Sequence, residues 1–156
     1  MSCCDNSAIC RECGGYCCRL GGTRATKDEV DAILGAGHES HFVRVTEKCY
    51  ITPWGDDGVC PYLKDSTCTI YEIRPLVCQK FPIVKFSNHE SFIVHCPLTQ
   101  HLSKEDIDYL IEVSSRLPEE LIEEAAVYFQ PYARILDERI RVFRLDRIND
   151  DGMNAE

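Results

Sequence analysis

The sequence predicts an α+β fold in which a Cys-rich lobe of loops and short strands packs against C-terminal amphipathic helices. Three observations predict it. All eleven cysteines fall within residues 1–96, and none falls within 97–156. The cysteine-bearing part alternates short β-branched and aromatic runs with Gly, Pro, Asn and Asp turn residues. The last third repeats apolar residues at helical spacing behind capping signals. With 156 residues, 44% of them hydrophobic and 28% charged, the chain has enough apolar material to bury one core. It is expected to form one domain over residues 1–149, with the Cys-rich lobe at 1–96 and the helical part at 97–149.

Residues 1–22 are rich in Cys and Gly without periodicity, so they read as a loop held by something other than a core. Thr26-Lys27-Asp28-Glu29 has capping-box spacing, and Val30, Ile33 and Leu34 give one apolar face. These predict a helix over 26–35, stopped by Gly35 and Gly37. Phe42 to Thr52 is β-branched and aromatic and predicts one or two short strands. Trp54–Gly58 is a turn, and Lys64-Asp65-Ser66-Thr67 is a second one between Cys60-Pro61-Tyr62-Leu63 and Cys68-Thr69-Ile70-Tyr71. A single helical turn follows, ending before Pro75 or restarting after it. Ile83–Ser87 and Ser91–His95 predict a hairpin around Asn88-His89-Glu90 that delivers Cys96.

Ser103-Lys104-Glu105-Asp106 caps a helix whose apolar face is Ile107, Leu110 and Ile111. Pro118 takes a first helical position, and Leu121, Ile122, Ala125, Ala126 and Phe129 follow at helical spacing until Pro131. A further helix carries Ile135, Leu136, Ile140 and Phe143 and is expected to fray after Ile148. The tail, residues 150–156, is expected to be disordered.

Charge and hydropathy exclude several classes. The net charge is −9, concentrated late: residues 97–156 carry seven Lys and Arg against fourteen Asp and Glu. Without a basic stripe the chain offers phosphates no electrostatic footprint, so nucleic acid is not an expected partner. No run approaches the roughly 18 apolar residues of a membrane span. The first residues lack the basic and apolar regions of a secretory signal, so the cytoplasm is the expected location.

Location bears on the thiols. Reducing compartments disfavour disulfides, so dense Cys in a non-secreted chain favours metal. The array Cys10-x2-Cys13-x3-Cys17-Cys18 continues through Cys60, Cys68, Cys78 and Cys96. Cys-x2-Cys lets two sulfurs from one tight turn reach one ion. Four thiolates satisfy a tetrahedral zinc or the corners of a [4Fe–4S] cube, and compact loops deliver three of the latter. Adjacent Cys17 and Cys18 are harder to place on one ion, since neighbouring side chains of an extended chain point apart. Gly14, Gly15, Gly21 and Gly22 let backbone approach a cluster without Cβ clashes.

These residues carry a resemblance. Cys10-x2-Cys13-Gly14, Cys17-Cys18-Arg19, Cys60-Pro61-Tyr62-Leu63 and the run from Cys68 to Pro82 are similar to the YkgJ-type cysteine-cluster family of zinc- or iron-chelating domains. The resemblance spans residues 10–97 and leaves the helical tail uncovered. It implies metal or iron–sulfur ligation by Cys10, Cys13, Cys17, Cys18, Cys60, Cys68 and Cys78, with Cys96 joining them. Gln79 departs from the pattern, which usually has Arg after the cysteine; a contact made by that Arg is one this chain lacks. Cys3, Cys4 and Cys49 fall outside the pattern and read as ordinary surface or buried thiols.

Two further groups are candidates. Arg74, in Tyr71-x2-Arg74-Pro75, either locks its loop junction or sits close enough to a thiolate centre to offset its charge. His95, directly before Cys96, is the best histidine for a mixed Cys/His site. No P-loop, GxGxxG, GxSxG or HExxH motif occurs, so an enzyme has little support. The leading expectation is an iron–sulfur cluster protein. The alternatives are a zinc module with Cys4 sites that recruits a protein partner, and a component of a cluster-dependent group-transfer system.

Overall fold

A computed structural model describes residues 22–53, 59–85, 90–96, 98–122, 134, 138, 145–148 and 154–155. Cys3, Cys4, Cys10, Cys13, Cys17 and Cys18, the turn at 54–58 and Asn88-His89 lie outside these residues.

The chain enters the described part at β1 (Arg24–Ala25) and passes into α1 (Lys27–Gly35). The capping box that the sequence predicts forms: the Thr26 hydroxyl accepts from the Glu29 amide, and the Glu29 carboxylate accepts from the Thr26 amide at 3.0 Å. Val30 and Ile33 bury the apolar face. Next come β2 (Val43–Arg44) and β3 (Tyr50–Ile51), which with β1 make a small antiparallel sheet in the order β1-β3-β2. β1 was not legible in the sequence, because two residues carry no period.

β4 (Leu63–Lys64) and β5 (Thr67–Cys68) pair antiparallel, Leu63 opposite Cys68. Asp65 and Ser66 connect them with φ of 52° and 61°. Two successive positive φ values make the turn whose twist matches flanking strands. A 3-10 turn at Tyr71–Ile73 ends before Pro75, and α2 (Leu76–Gln79) begins just after it. β6 (Ile83–Lys85) and β7 (Ser91–Val94) then form the expected hairpin. A 3-10 turn at Thr99–His101 leads to α3 (Lys104–Ser115), capped by Ser103 with Asp106 reaching back to the Ser103 amide at 2.9 Å. Residues 119–122 are helical, and Leu121 and Ile122 are buried as the spacing predicts.

The end of the chain corrects the expectation of helix up to Ile148. Leu145–Ile148 are a strand, β8, pairing antiparallel with β7, and Asn154–Ala155, expected in a disordered tail, form β9 beside it. The resulting sheet runs β6-β7-β8-β9. The physical reason lies in the hairpin edge. β7 offers a row of backbone groups that β6 does not satisfy, and the apolar helical period stops at Phe143. Arg147 adds an ion pair to Glu90 at 2.8 Å. The last third therefore returns to the cysteine-bearing half as a strand. The helix expected through Ile135–Phe143 falls outside the described residues, apart from helical Arg134 and Glu138.

The fold is α+β with antiparallel sheets. Among the described residues, buried apolar side chains form three clusters, and each contains cysteine. One joins Cys49 and Ile51 to Leu117, Leu121 and Ile122. A second joins Ile33, Cys60, Tyr62 and Ile70, with Cys68 packed against it. The third joins Val94, Cys96 and Leu98. No helix among the described residues is long and apolar enough to cross a membrane.

Glu29 links two elements. While one carboxylate oxygen caps α1, the other accepts the Leu76 amide, the first N–H of α2, at 2.7 Å. Glu29→Ala removes both bonds and leaves two helix starts unsatisfied. It is expected to cost about 2 kcal/mol, from one cap and one charge-assisted bond. Urea unfolding of the full chain measures it, and Asp31→Ala on the exposed face serves as the near-neutral comparison.

Candidate metal centre

The β4–β5 hairpin positions two of the predicted ligands. The Leu63 amide donates to the Cys60 carbonyl at 3.0 Å, and the Thr69 amide donates to the Tyr62 carbonyl at 2.9 Å. The tight turn thus folds Cys68 back toward Cys60, and both pack in the cluster around Ile33, Tyr62 and Ile70. Tyr62 anchors this corner from the other side, donating its hydroxyl to the Glu39 carbonyl at 2.8 Å and accepting the His41 amide at 3.1 Å. Burial raises the phenol's affinity for its proton, so it stays a donor.

Cys78 sits elsewhere, on α2, which packs against β1. Its Sγ lies 3.1 Å from the Thr23 hydroxyl. Thr23 is held rigidly: its amide donates to Thr52 Oγ1 at 2.7 Å, and its carbonyl accepts the Thr52 amide at 2.8 Å. Gly22 is required for that approach, since a Cβ there would overlap the Thr52 carbonyl oxygen. Gly22 therefore serves strand contact, a use the sequence reading did not assign it.

Two cations lie within electrostatic reach of Cys78. Lys80 is 3% exposed and donates from Nζ to the Ile83 carbonyl at 2.8 Å. Burial, followed by the neighbouring Arg24 charge, pushes its ammonium down to about 7, against the opposing pull of Cys78. Arg24 is half-buried, and its buried Nε has no hydrogen-bond partner among the described residues. Burial works against its charge, and Cys49 and Cys78 work for it. Among the described residues no carboxylate pairs with either cation. One weak sign of this is legible in the sequence, a lysine two residues after a candidate ligand and before Phe81-Pro82. Lysine is otherwise almost never fully buried, so reasoning from residue type missed it.

Cys96 is buried in the third cluster, and Thr99 fastens its turn by accepting the Cys96 amide at 3.2 Å and donating to the Val94 carbonyl at 2.6 Å. His95 is half-buried between the buried Val94 and Cys96. Cys49 is fully buried in the first cluster, with its amide on Thr46 Oγ1 at 3.1 Å. Arg74 closes on its own turn, stacking over the Tyr71 ring at 3.9 Å and donating to the Tyr71 carbonyl. Gln79, where the resemblance leads one to expect Arg, donates from Nε2 to the Arg74 carbonyl at 2.7 Å and pins that junction.

Cys60 and Cys68 thus share one apolar cluster, Cys49 lies in a second on which Leu76 and Val77 of α2 pack, and Cys96 lies in a third. Among the described residues no three Cys, His, Asp or Glu side chains converge on a common point. Cys10, Cys13, Cys17 and Cys18 lie outside them.

Residues 9–109 match the model of the CxxCxxCC family, described as a putative zinc- or iron-chelating domain. The chain belongs to this family. The match reaches past the cysteines into α3, further than the resemblance over residues 10–97 suggests. No curated protein and no solved structure matches the chain. Metal chelation is accordingly the coarse function of this CxxCxxCC domain, with zinc and iron both within its description. The residues in place fit such a group. Thiols are the donors both metals take, and the buried Lys80 and half-buried Arg24 supply positive charge where a metal–thiolate centre would carry negative charge.

Proposed function

We propose that this CxxCxxCC domain holds a thiolate-ligated iron–sulfur centre. Cys10, Cys13, Cys17 and Cys18 would supply one side, and Cys60, Cys68, Cys78 and Cys96 the other. The observation that carries the reading is the setting of Cys78, whose helix packs against β1 and which lies within electrostatic reach of the half-buried Arg24 and the buried Lys80, two cations that pair with no carboxylate among the described residues. Burying an unpaired cation is costly, and a thiolate is the anion within reach.

Chain connectivity supports joining the two sides. Cys18 is five residues before Thr23, a tether of at most about 17 Å when fully extended, and Thr23 touches Cys78 at 3.1 Å. Eight cysteines in the array are twice the four that one zinc or one [4Fe–4S] cube takes, so the array holds thiolates for more than one such centre. When bound, such a cluster supplies one-electron chemistry or a structural cross-link, whereas zinc supplies the cross-link alone. The role proposed for the chain is redox or structural use of that cluster in the cytoplasm.

Anaerobic purification tests the metal. A brown protein with broad absorption near 400 nm, containing iron and acid-labile sulfide, is the expected result. A colourless protein holding only zinc would replace this reading with a structural or partner-recruiting zinc module.

A further inference from the structure

Beyond the ligands themselves, we infer that Arg24, with Lys80 beside it, is the built-in counter-charge of the metal–thiolate centre at Cys78, which makes these cations a liability without metal and an asset with it. The inference rests on the reading that Cys78 is a ligand. No sequence motif marks Arg24, and its role follows from its place in the fold.

β1 carries Arg24 onto α2, next to the turn that holds Cys78. Its neighbour Thr23 contacts the Cys78 sulfur at 3.1 Å, so the backbone at Arg24 is fixed relative to that ligand. Nε is buried, and among the described residues this N–H donor has no acceptor. Lys80, two residues beyond Cys78, commits one of its three donors to the Ile83 carbonyl. With Lys80 buried and Arg24 half-buried, the two cations repel each other and lose part of their water. An N–H···S bond from Arg24 to a metal-bound thiolate would remove both costs and hold that sulfur anionic.

The consequence is a reversal of sign. In the metal-free chain, replacing Arg24 by an apolar residue of similar length removes an uncompensated charge, so stability should rise or stay level. In the loaded chain the same replacement strips the centre of its counter-charge, so stability and metal retention should fall. A side chain that only fills space would shift both forms in the same direction.

The test compares the anaerobically purified full-length chain with the same chain after chelation. Arg24→Met, Arg24→Lys, Lys80→Met and Cys78→Ser are examined by thermal melts and by the rate at which EDTA strips the metal. Arg24→Met should keep the metal stoichiometry yet lose metal about 10- to 100-fold faster, the range for removing a group that supports a ligand. It should lower the melting temperature of the loaded form only, and Arg24→Lys should restore most of the retention. Equal destabilisation of both forms, or unchanged stripping by EDTA, overturns the inference. If Arg24→Met does not fold, Lys80→Met reads the same reversal, and its absence is equally decisive. Cys78→Ser separates the two levels. If that variant loses metal while Arg24→Met does not, the counter-charge is wrong and the centre stands; if it keeps its metal, the ligand reading beneath the inference is wrong.

Discussion

Cys78→Ser is expected to lose bound metal, with a metal-to-protein ratio well below wild type after gel filtration and stripping by EDTA at least about 100-fold faster. A thiolate binds zinc or iron strongly because it is soft and readily deprotonated, whereas a serine hydroxyl keeps its proton at neutral pH. The change is nearly isosteric, and the Thr23 hydroxyl 3.1 Å away can bond oxygen as readily as sulfur, so the fold at α2 should survive. Cys49→Ser is the control. Its thiol is also within the electrostatic reach of Arg24, but it lies wholly inside the cluster of Ile51, Leu117, Leu121 and Ile122. That variant buries a hydroxyl among apolar groups and should lose about 1–3 kcal/mol of stability while keeping its metal. Opposite outcomes for the two cysteines would distinguish a ligand from a packing thiol. Equal metal retention in both would remove Cys78 from the centre.

The second large effect concerns the core that holds the site in place. Leu121 is fully buried against Cys49, Ile51 and Ile122, with Leu76 and Val77 of α2 packed on the same cluster. It thereby ties the residues after α3 to the helix bearing Cys78. Leu121→Ala opens a cavity and is expected to cost about 3 kcal/mol, which corresponds to roughly 6–12 °C of melting temperature for a chain of this size. Leu34→Ala, at a position 43% exposed, should change stability by less than about 0.5 kcal/mol. Because α2 rests on Leu121, the variant should also release metal faster, in proportion to its loss of stability in a coupled system. A loaded Leu121→Ala protein as stable as wild type would mean that the metal alone holds this region together.

How far these features could be read in advance depended on the range of the interaction. Thr26 with Glu29, and Ser103 with Asp106, announce helix starts because each cap is completed within four residues. The turn at Asp65-Ser66 and the break at Pro75 are likewise local. β8 was misread because Leu145–Ile148 owes its conformation to the edge of β7, more than 50 residues earlier, a partner that no window of sequence contains. β1 failed for the same reason, being defined by Ile51 and Tyr50.

The site divides similarly. Spacing singled out Cys60, Cys68, Cys78 and Cys96, and the hairpin explains why seven residues separate the first two. What spacing could not reveal is that Cys49, Cys60 and Cys96 lie in three separate apolar clusters, or that buried Lys80 and half-buried Arg24 lie within electrostatic reach of Cys78. Arg24 is assigned by the packing of β1 on α2, and neither strand nor helix signals the other. The second oxygen of Glu29 is another such case: its cap on α1 is legible, while its bond to Leu76 needs the folded chain.

The central claim is that cysteine sulfurs hold a metal in this domain. X-ray absorption at the edge of the metal retained after anaerobic purification tests it most directly. The account predicts a first shell made of sulfur alone, near 2.3 Å if the metal is zinc, and reduced in Cys78→Ser. A first shell of nitrogen and oxygen, or one unchanged in that variant, would contradict it.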